Sequence, residues 1–260
     1  HDLCRRQRQM CIRDRYIGAY FSPLLALLSF QLQGFGAFLC VFTLYVIVPI
    51  SEQFLPQDTY NLSKAEKELA KDDPFYDWIL YLLVPLHLFV IYTFLVKISS
   101  PEIQVIEIIA YTMTIGTILG VNGINGGHEL GHKTNEPVKL VCAHILLATS
   151  LQNHFMTYHN SGHHRDVATP NDLTTAKKGQ SFYHFAIQSQ IGGYFKTWKL
   201  EREKLLRQGK STFLNPMIIL TLIPWSLQAF IFIYFGWITG MLYLLALSLI
   251  HISEPTRPAL

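Results

Sequence analysis

Residues 77–97 read DWILYLLVPLHLFVIYTFLVK, and residues 102–123 read EIQVIEIIAYTMTIGTILGVNG. Each run is mostly apolar and about as long as the ~20 residues a helix needs to cross a bilayer. Only a short turn around Ser99, Ser100 and Pro101 separates them, so they predict a helical hairpin that leaves one membrane face and returns to it. The pattern repeats on either side. Residues 16–32 (YIGAYFSPLLALLSFQL) and 34–51 (GFGAFLCVFTLYVIVPIS) meet at Gly34 and Gly36, which suit a tight turn. Residues 213–234 and 237–251 meet at Gly236. The expected fold is therefore all-α: a polytopic membrane protein with about six transmembrane helices in three hairpins. The segment 138–152 (VKLVCAHILLATSLQ) is apolar but short, and is expected to be an interfacial or buried helix rather than a seventh span.

Composition agrees with a membrane protein. Charged residues make up 15% of the 260-residue chain, against about 25% in soluble domains. The net charge of +3 is small, and no basic run alternates with aromatics, which excludes nucleic acid as a partner. Cys4, Cys11, Cys40 and Cys142 form no CxxC pair, which excludes a disulfide framework and a thiolate metal site. Residues 128–212 are rich in Lys and Arg, whereas the opposite hairpin turns carry little charge beyond Lys97 and Glu102. Basic residues near membrane ends favour the cytoplasmic side, so 128–212 is expected there. The first fifteen residues, HDLCRRQRQMCIRDR, lack the apolar core and cleavage site of a signal peptide. They and the tail HISEPTRPAL (251–260) resemble translated adaptor sequence. Residues 16–250 are then expected to be a single membrane-embedded domain, incomplete at its C-terminus, between a non-native leader (1–15) and a non-native tail.

Five histidines fall in two clusters, in INGGHELGHK (124–133) and YHNSGHHRDVATP (158–170). His128 and His132 are four apart, on one face of a helix continuing from 102–123. His159 and His163 repeat that spacing, and His164 is adjacent. A lone histidine at a membrane end is ordinarily a satisfied core residue. Five in two clusters on one face point to metal, because ionisable groups there are costly and mark function. Imidazole suits zinc, copper, iron and nickel. HELGH also fits the HExxH pattern of zinc proteases, in which Glu129 would be the general base. The second cluster adds three imidazoles, too many for one catalytic zinc and better matched to two metals sharing ligands. The lack of an accompanying cysteine excludes blue-copper and iron–sulfur sites. A metal transporter would place its histidines along mid-span, not at one end.

GHELGHK (127–133) followed by HNSGHHRDVATPNDLTTAKKGQSFYHF (159–185) resembles the first two histidine boxes of the alkane 1-monooxygenase family. These are integral-membrane alkane hydroxylases in the group that includes membrane fatty-acid desaturases and xylene monooxygenase. The resemblance extends to DPFYDWILYLLVPLHLF (73–89) and KTWKLEREKLLRQGKS (196–211), and covers nearly all of 20–250. It implies a non-haem di-iron enzyme of the bacterial inner membrane, with its metal site on the cytoplasmic face. Such an enzyme hydroxylates the terminal methyl of medium-chain n-alkanes, using dioxygen and two electrons from a rubredoxin-type donor. The ligands implied are His128 and His132 from the first box and His159, His163 and His164 from the second. A fatty-acid desaturase, or another hydrocarbon hydroxylase on the same scaffold acting on a fatty-acyl-like substrate, is the alternative. The family's NYxEHYGL motif and its third box, of the HxxHH type, have no counterpart here, since His251 falls in the tail. The fragment alone is therefore expected to be inactive or to bind metal weakly. The family's Glu before the second box is Tyr158 in this chain.

Glu129, Asp166 and Asp172 are candidates to orient the ligating rings, with packing or helix-end roles as the simpler readings. His154 matches a family histidine that is not an iron ligand, and is expected to support the ligands. Thr169, Asn171 and Asp172 flank Pro170 and could equally cap the next helix. Phe38, Phe42, Tyr45 and Gly116 are candidates to shape a substrate channel through the bilayer, against the simpler reading of lipid-facing or packing residues. His87, His144 and His184 are expected to be structural. Residues 196–210 predict a basic helix at the membrane surface, contacting phospholipid or an acidic electron carrier.

Overall fold

The computed structural model describes residues 17–55, 73–132, 135–169 and 171–253. The expected leader 1–15 and the tail beyond Ser253 lie outside the described residues. Every regular element among the described residues is helical. In chain order these are α1 (Gly18–Ser29), α2 (Gly34–Phe54), α3 (Pro74–Ile98), α4 (Val105–Gly131), α5 (Pro137–Thr149), α6 (153–166), α7 (182–207), α8 (Thr212–Phe235) and α9 (Trp237–Ser253). By length and composition, α2, α3, α4 and α8 can cross a membrane. α1, α5 and the part of α9 over Trp237–Ser248 are shorter apolar helices. The chain is thus a multi-pass membrane protein. Four of the six expected spans stand at full length, and the runs 16–32 and 237–251 fall on the shorter α1 and α9. The segment 138–152 is the short helix α5.

The turns have local causes. Gly34 (φ 56°) and Gly236 (φ 87°) open α2 and precede α9 in a backbone conformation that glycine adopts without the Cβ penalty. The α3–α4 turn ends in a reciprocal cap: the side chains of Gln104 and Glu107 each accept from the other's backbone N–H. The other carboxylate oxygen of Glu107 accepts from Gly34 N at 3.1 Å, which ties the α1–α2 turn to α4.

Contacts divide the chain into two compact units, His1–Asn122 and Gly123–Leu260. In the first, Phe30 packs edge-on against Tyr111 with ring centroids 5.2 Å apart and tilted against Phe94 at 6.1 Å. The Tyr111 hydroxyl donates to the carbonyls of Phe30 and Leu32, which satisfies the end of α1. Of the channel candidates, Gly116 is buried, Phe38 is half-buried, and Phe42 and Tyr45 are about half exposed. Tyr45 receives a 3.4 Å hydrogen bond from Thr117 Oγ1.

In the second unit the end of α4 lies close against α5. A Cβ on Gly127 would stand 2.7 Å from Leu147 Cγ and 3.3 Å from the carbonyl of Ala143. Gly127→Ala is therefore expected to destabilise the unit by about 1–3 kcal/mol through overpacking. Thermal unfolding in detergent checks this, and an unchanged midpoint would contradict it. Elsewhere, Tyr243 Oη donates to the Thr149 carbonyl at 2.8 Å, and Gln228 Nε2 to the Gly240 carbonyl at 3.2 Å. These bonds hold α9 against the end of α5 and against α8.

A candidate metal centre

Both histidine clusters sit at wide, π-helical turns. The segment Leu119–Asn125 is π-helical and leads directly into Gly126–Gly131, and His159–His163 is itself a π-helical turn inside α6. Such turns are rare and frequently mark functional sites. His128, His132 and His159 bring their ligand atoms within 4.8 Å of one another, the one such group among the described residues. His128 Nε2 lies 2.9 Å from His159 Nε2 and 2.9 Å from His132 Nε2. One ring nitrogen has a single proton or a single lone pair, so ordinary hydrogen bonding satisfies only one of these two contacts. A metal explains both: bonds of about 2.1 Å set at right angles place two nitrogens about 3 Å apart. The all-imidazole donor set suits iron, zinc, copper or nickel.

The other two rings stand beside the trio. His164 lies edge-on to His159 and to His132, with centroids 4.4 Å and 5.4 Å apart. His163 stacks on His159 at 5.2 Å. Burial, reinforced by the neighbouring imidazoles, pushes the His159 pKa down to about 3. That ring is neutral at pH 7, with a lone pair available for a metal.

His163 is held from outside the cluster. Its Nδ1 lies 2.8 Å from Asp172 Oδ2 and 2.8 Å from Thr174 Oγ1. With the proton on Nδ1 donated to the carboxylate, the Nε2 lone pair is free to bind. Asp172 is buried and accepts further bonds from Tyr158 Oη, Thr174 N, Thr174 Oγ1 and Thr175 Oγ1. Burial pushes its carboxyl pKa up, but the bonds from Thr175, Thr174 and His163 outweigh this and hold it at about 2.

The remaining candidates lie elsewhere. Glu129 is exposed and makes no hydrogen bond to a described residue, though its charge acts on His128. Asp166 pairs with Arg165 at 2.8 Å and with Lys196 at 3.3 Å, not with a histidine. Lys196 also donates to the Asn171 carbonyl. Thr169 and Asn171 do not cap the next helix: α7 is capped by Ser181, whose side chain accepts from His184 N. Asp172 instead closes its own turn onto Thr174 and Thr175.

His154 packs edge-on against Tyr194 at 5.3 Å. It lines, with Gln152, Phe155, His159, His163 and Thr174, a cavity of about 240 Å³. Burial lowers its pKa to about 4. A depressed histidine pKa means that the unfolded chain takes up the proton first, so stability falls as pH drops from about 6.5 towards about 4. His154→Phe keeps an aromatic ring against Tyr194 and is expected to make that loss less steep by about 2 kcal/mol. Denaturant midpoints at pH 7 and pH 5 check this, and an unaltered pH dependence would contradict it.

Sequence reading missed Tyr158, Thr174 and Thr175 as partners of this site. The available signal was the run NDLTT (171–175), because an Asp followed two and three residues later by Thr favours a self-bonded turn.

The sequence model of the family described as Fatty acid desaturase matches residues 106–252. Among curated proteins, the chain is 35% identical to Alkane 1-monooxygenase 1 of Alcanivorax borkumensis over 72% of its own length and 47% of the relative's. It is 31% identical to Alkane 1-monooxygenase of Pseudomonas putida over 80% of this chain and 54% of that one. It is 32% identical to Alkane 1-monooxygenase of Ectopseudomonas oleovorans over 76% and 51%. The chain spans about half the length of the curated relatives it matches. The resemblance read from the two histidine boxes is thus met by both comparisons.

Proposed function

Because the chain belongs to the fatty acid desaturase family, we propose that it carries part of the catalytic site of a non-haem di-iron hydroxylase that converts n-alkanes to 1-alkanols. The observation that carries the reading is the convergence of the His128, His132 and His159 Nε2 atoms. The names of the relatives supply the reaction. The overall change is balanced as alkane, dioxygen, two electrons and two protons giving 1-alkanol and water.

His128, His132 and His159 would hold one iron, and His163 and His164 would contribute to a second. The irons supply the activation of dioxygen and the oxidising power that an unactivated C–H bond demands. The chain's own part is to present neutral imidazoles and fix their rings. Asp172 fixes which ring nitrogen of His163 carries the proton and which faces the metal. The sheet of bonds from Thr174 and Thr175 keeps that carboxylate ionised and still. The substrate is a medium-chain alkane drawn from the bilayer. The electrons come from a rubredoxin-type carrier, and the basic residues of α7 suit docking to an acidic protein. The histidines face the cytoplasm at the bacterial inner membrane. The family model's own description favours one second reading, desaturation of a fatty-acyl chain on the same scaffold.

A fusion of residues 16–250 to the region of the Alcanivorax relative that this chain does not cover tests the reading. Membranes bearing it are supplied with iron, an electron-donor system, n-octane and ¹⁸O₂. The expected product is 1-octanol carrying one ¹⁸O. Appearance of an unsaturated acyl chain without ¹⁸O incorporation would instead establish the desaturase reading.

A further inference from the structure

We propose that Tyr158 is a positioning residue that fixes the ring of His163 by clamping the Asp172 turn onto α6. This rests on the reading of His163 as a metal ligand. Tyr158 is 2% exposed. Its hydroxyl accepts from Leu173 N at 3.0 Å and donates to Asp172 Oδ1 at 3.1 Å. The other oxygen of Asp172 receives His163 Nδ1. The remaining bonds to Asp172 come from Thr174 and Thr175, within its own turn. Among the described residues, and apart from the bonds made by His163 itself, the hydrogen bonds that tie α6 to the 172–175 turn are therefore the two made by the Tyr158 hydroxyl.

Backbone geometry explains how one helix presents both groups. In an α-helix, residues 158 and 163 would point well apart. The intervening π-helical turn His159–His163, bonded from i to i+5, brings residues five apart onto one side. The same turn needs Gly162, because a Cβ there would stand 2.7 Å from Tyr158 Cε2. The Lys196 ammonium, 5.5 Å from the centre of the Tyr158 ring, closes the outer side.

The first test needs no metal. The chain is ¹⁵N-labelled at histidine, and His163 is assigned from the signals lost in His163→Gln. His163 is expected as a single tautomer protonated at Nδ1, and Tyr158→Phe should convert it to a mixture. Tyr194→Phe, which alters a tyrosine on α7, should leave His163 unchanged. A single tautomer persisting in Tyr158→Phe, or an equal effect from Tyr194→Phe, would overturn the proposal. The second test titrates cobalt(II) into the same variants. Tyr158→Phe is expected to weaken binding about tenfold. In an Asp172→Asn background it should weaken binding no further. A tenfold loss in both backgrounds would mean that the hydroxyl acts independently of the Asp172 carboxylate, and the proposal falls. Failure of the unaltered chain to bind cobalt would count against the metal reading, while the tautomer comparison would still decide the role of Tyr158.

Discussion

Replacing His128 with alanine is expected to weaken metal binding by more than about 100-fold. Removing a residue that merely orients a ligand costs about 10–100-fold, so losing a ligand at the centre of the group should exceed that range. His128 is the centre because its Nε2 lies 2.9 Å from both His132 and His159. The helix should survive the change, since the ring is only half-buried and alanine is a good helix former. Cobalt(II) titration of His128→Ala, with His184→Ala as a control on α7, measures the effect. Equal affinity in the two variants would remove His128 from the site.

The second large effect is expected at Asp172. Asp172→Ala leaves the Tyr158 hydroxyl, the Thr174 amide, two threonine hydroxyls and His163 Nδ1 without their acceptor. A buried polar group left unsatisfied costs about 1–3 kcal/mol, and water entering the space offsets part of the sum. A net loss of about 3 kcal/mol follows, together with about 10–100-fold in metal affinity from the freed His163 ring. Asp172→Asn is nearly isosteric but replaces one acceptor oxygen with a donor, so it should lose an intermediate amount. Thermal unfolding and cobalt titration of both variants check the order. If Asp172→Ala matched the unaltered protein in both, the carboxylate would have no part in holding the centre.

Much of this was legible in the sequence, and what was not has identifiable physical causes. Apolar run length located α2, α3, α4 and α8, and Gly34 and Gly236 marked two turns through their backbone freedom. It overstated α1, because summed hydropathy does not register where a helix stops. Phe30 and Leu32 are as apolar as a span requires, yet their carbonyls receive the Tyr111 hydroxyl at the end of α1. Histidine spacing brought out all five rings, and three of them meet at their nitrogens. Spacing did not separate Asp172 from Asp166 and Glu129. All three are acidic and near the boxes, but Asp166 is taken by Arg165 and Lys196. Tyr158 was recognisable only as a departure from the family pattern. Its role depends on a π-helical turn, a backbone feature with no side-chain signature.

The central claim is that His128, His132 and His159 hold iron. It is tested most directly by reconstituting the fusion of residues 16–250 to the uncovered region of the Alcanivorax relative with iron(II) under anaerobic conditions, desalting it, and measuring the metal. Iron retained by the unaltered fusion and lost from its His128→Ala variant is the expected result. Equal retention by the two proteins would contradict it.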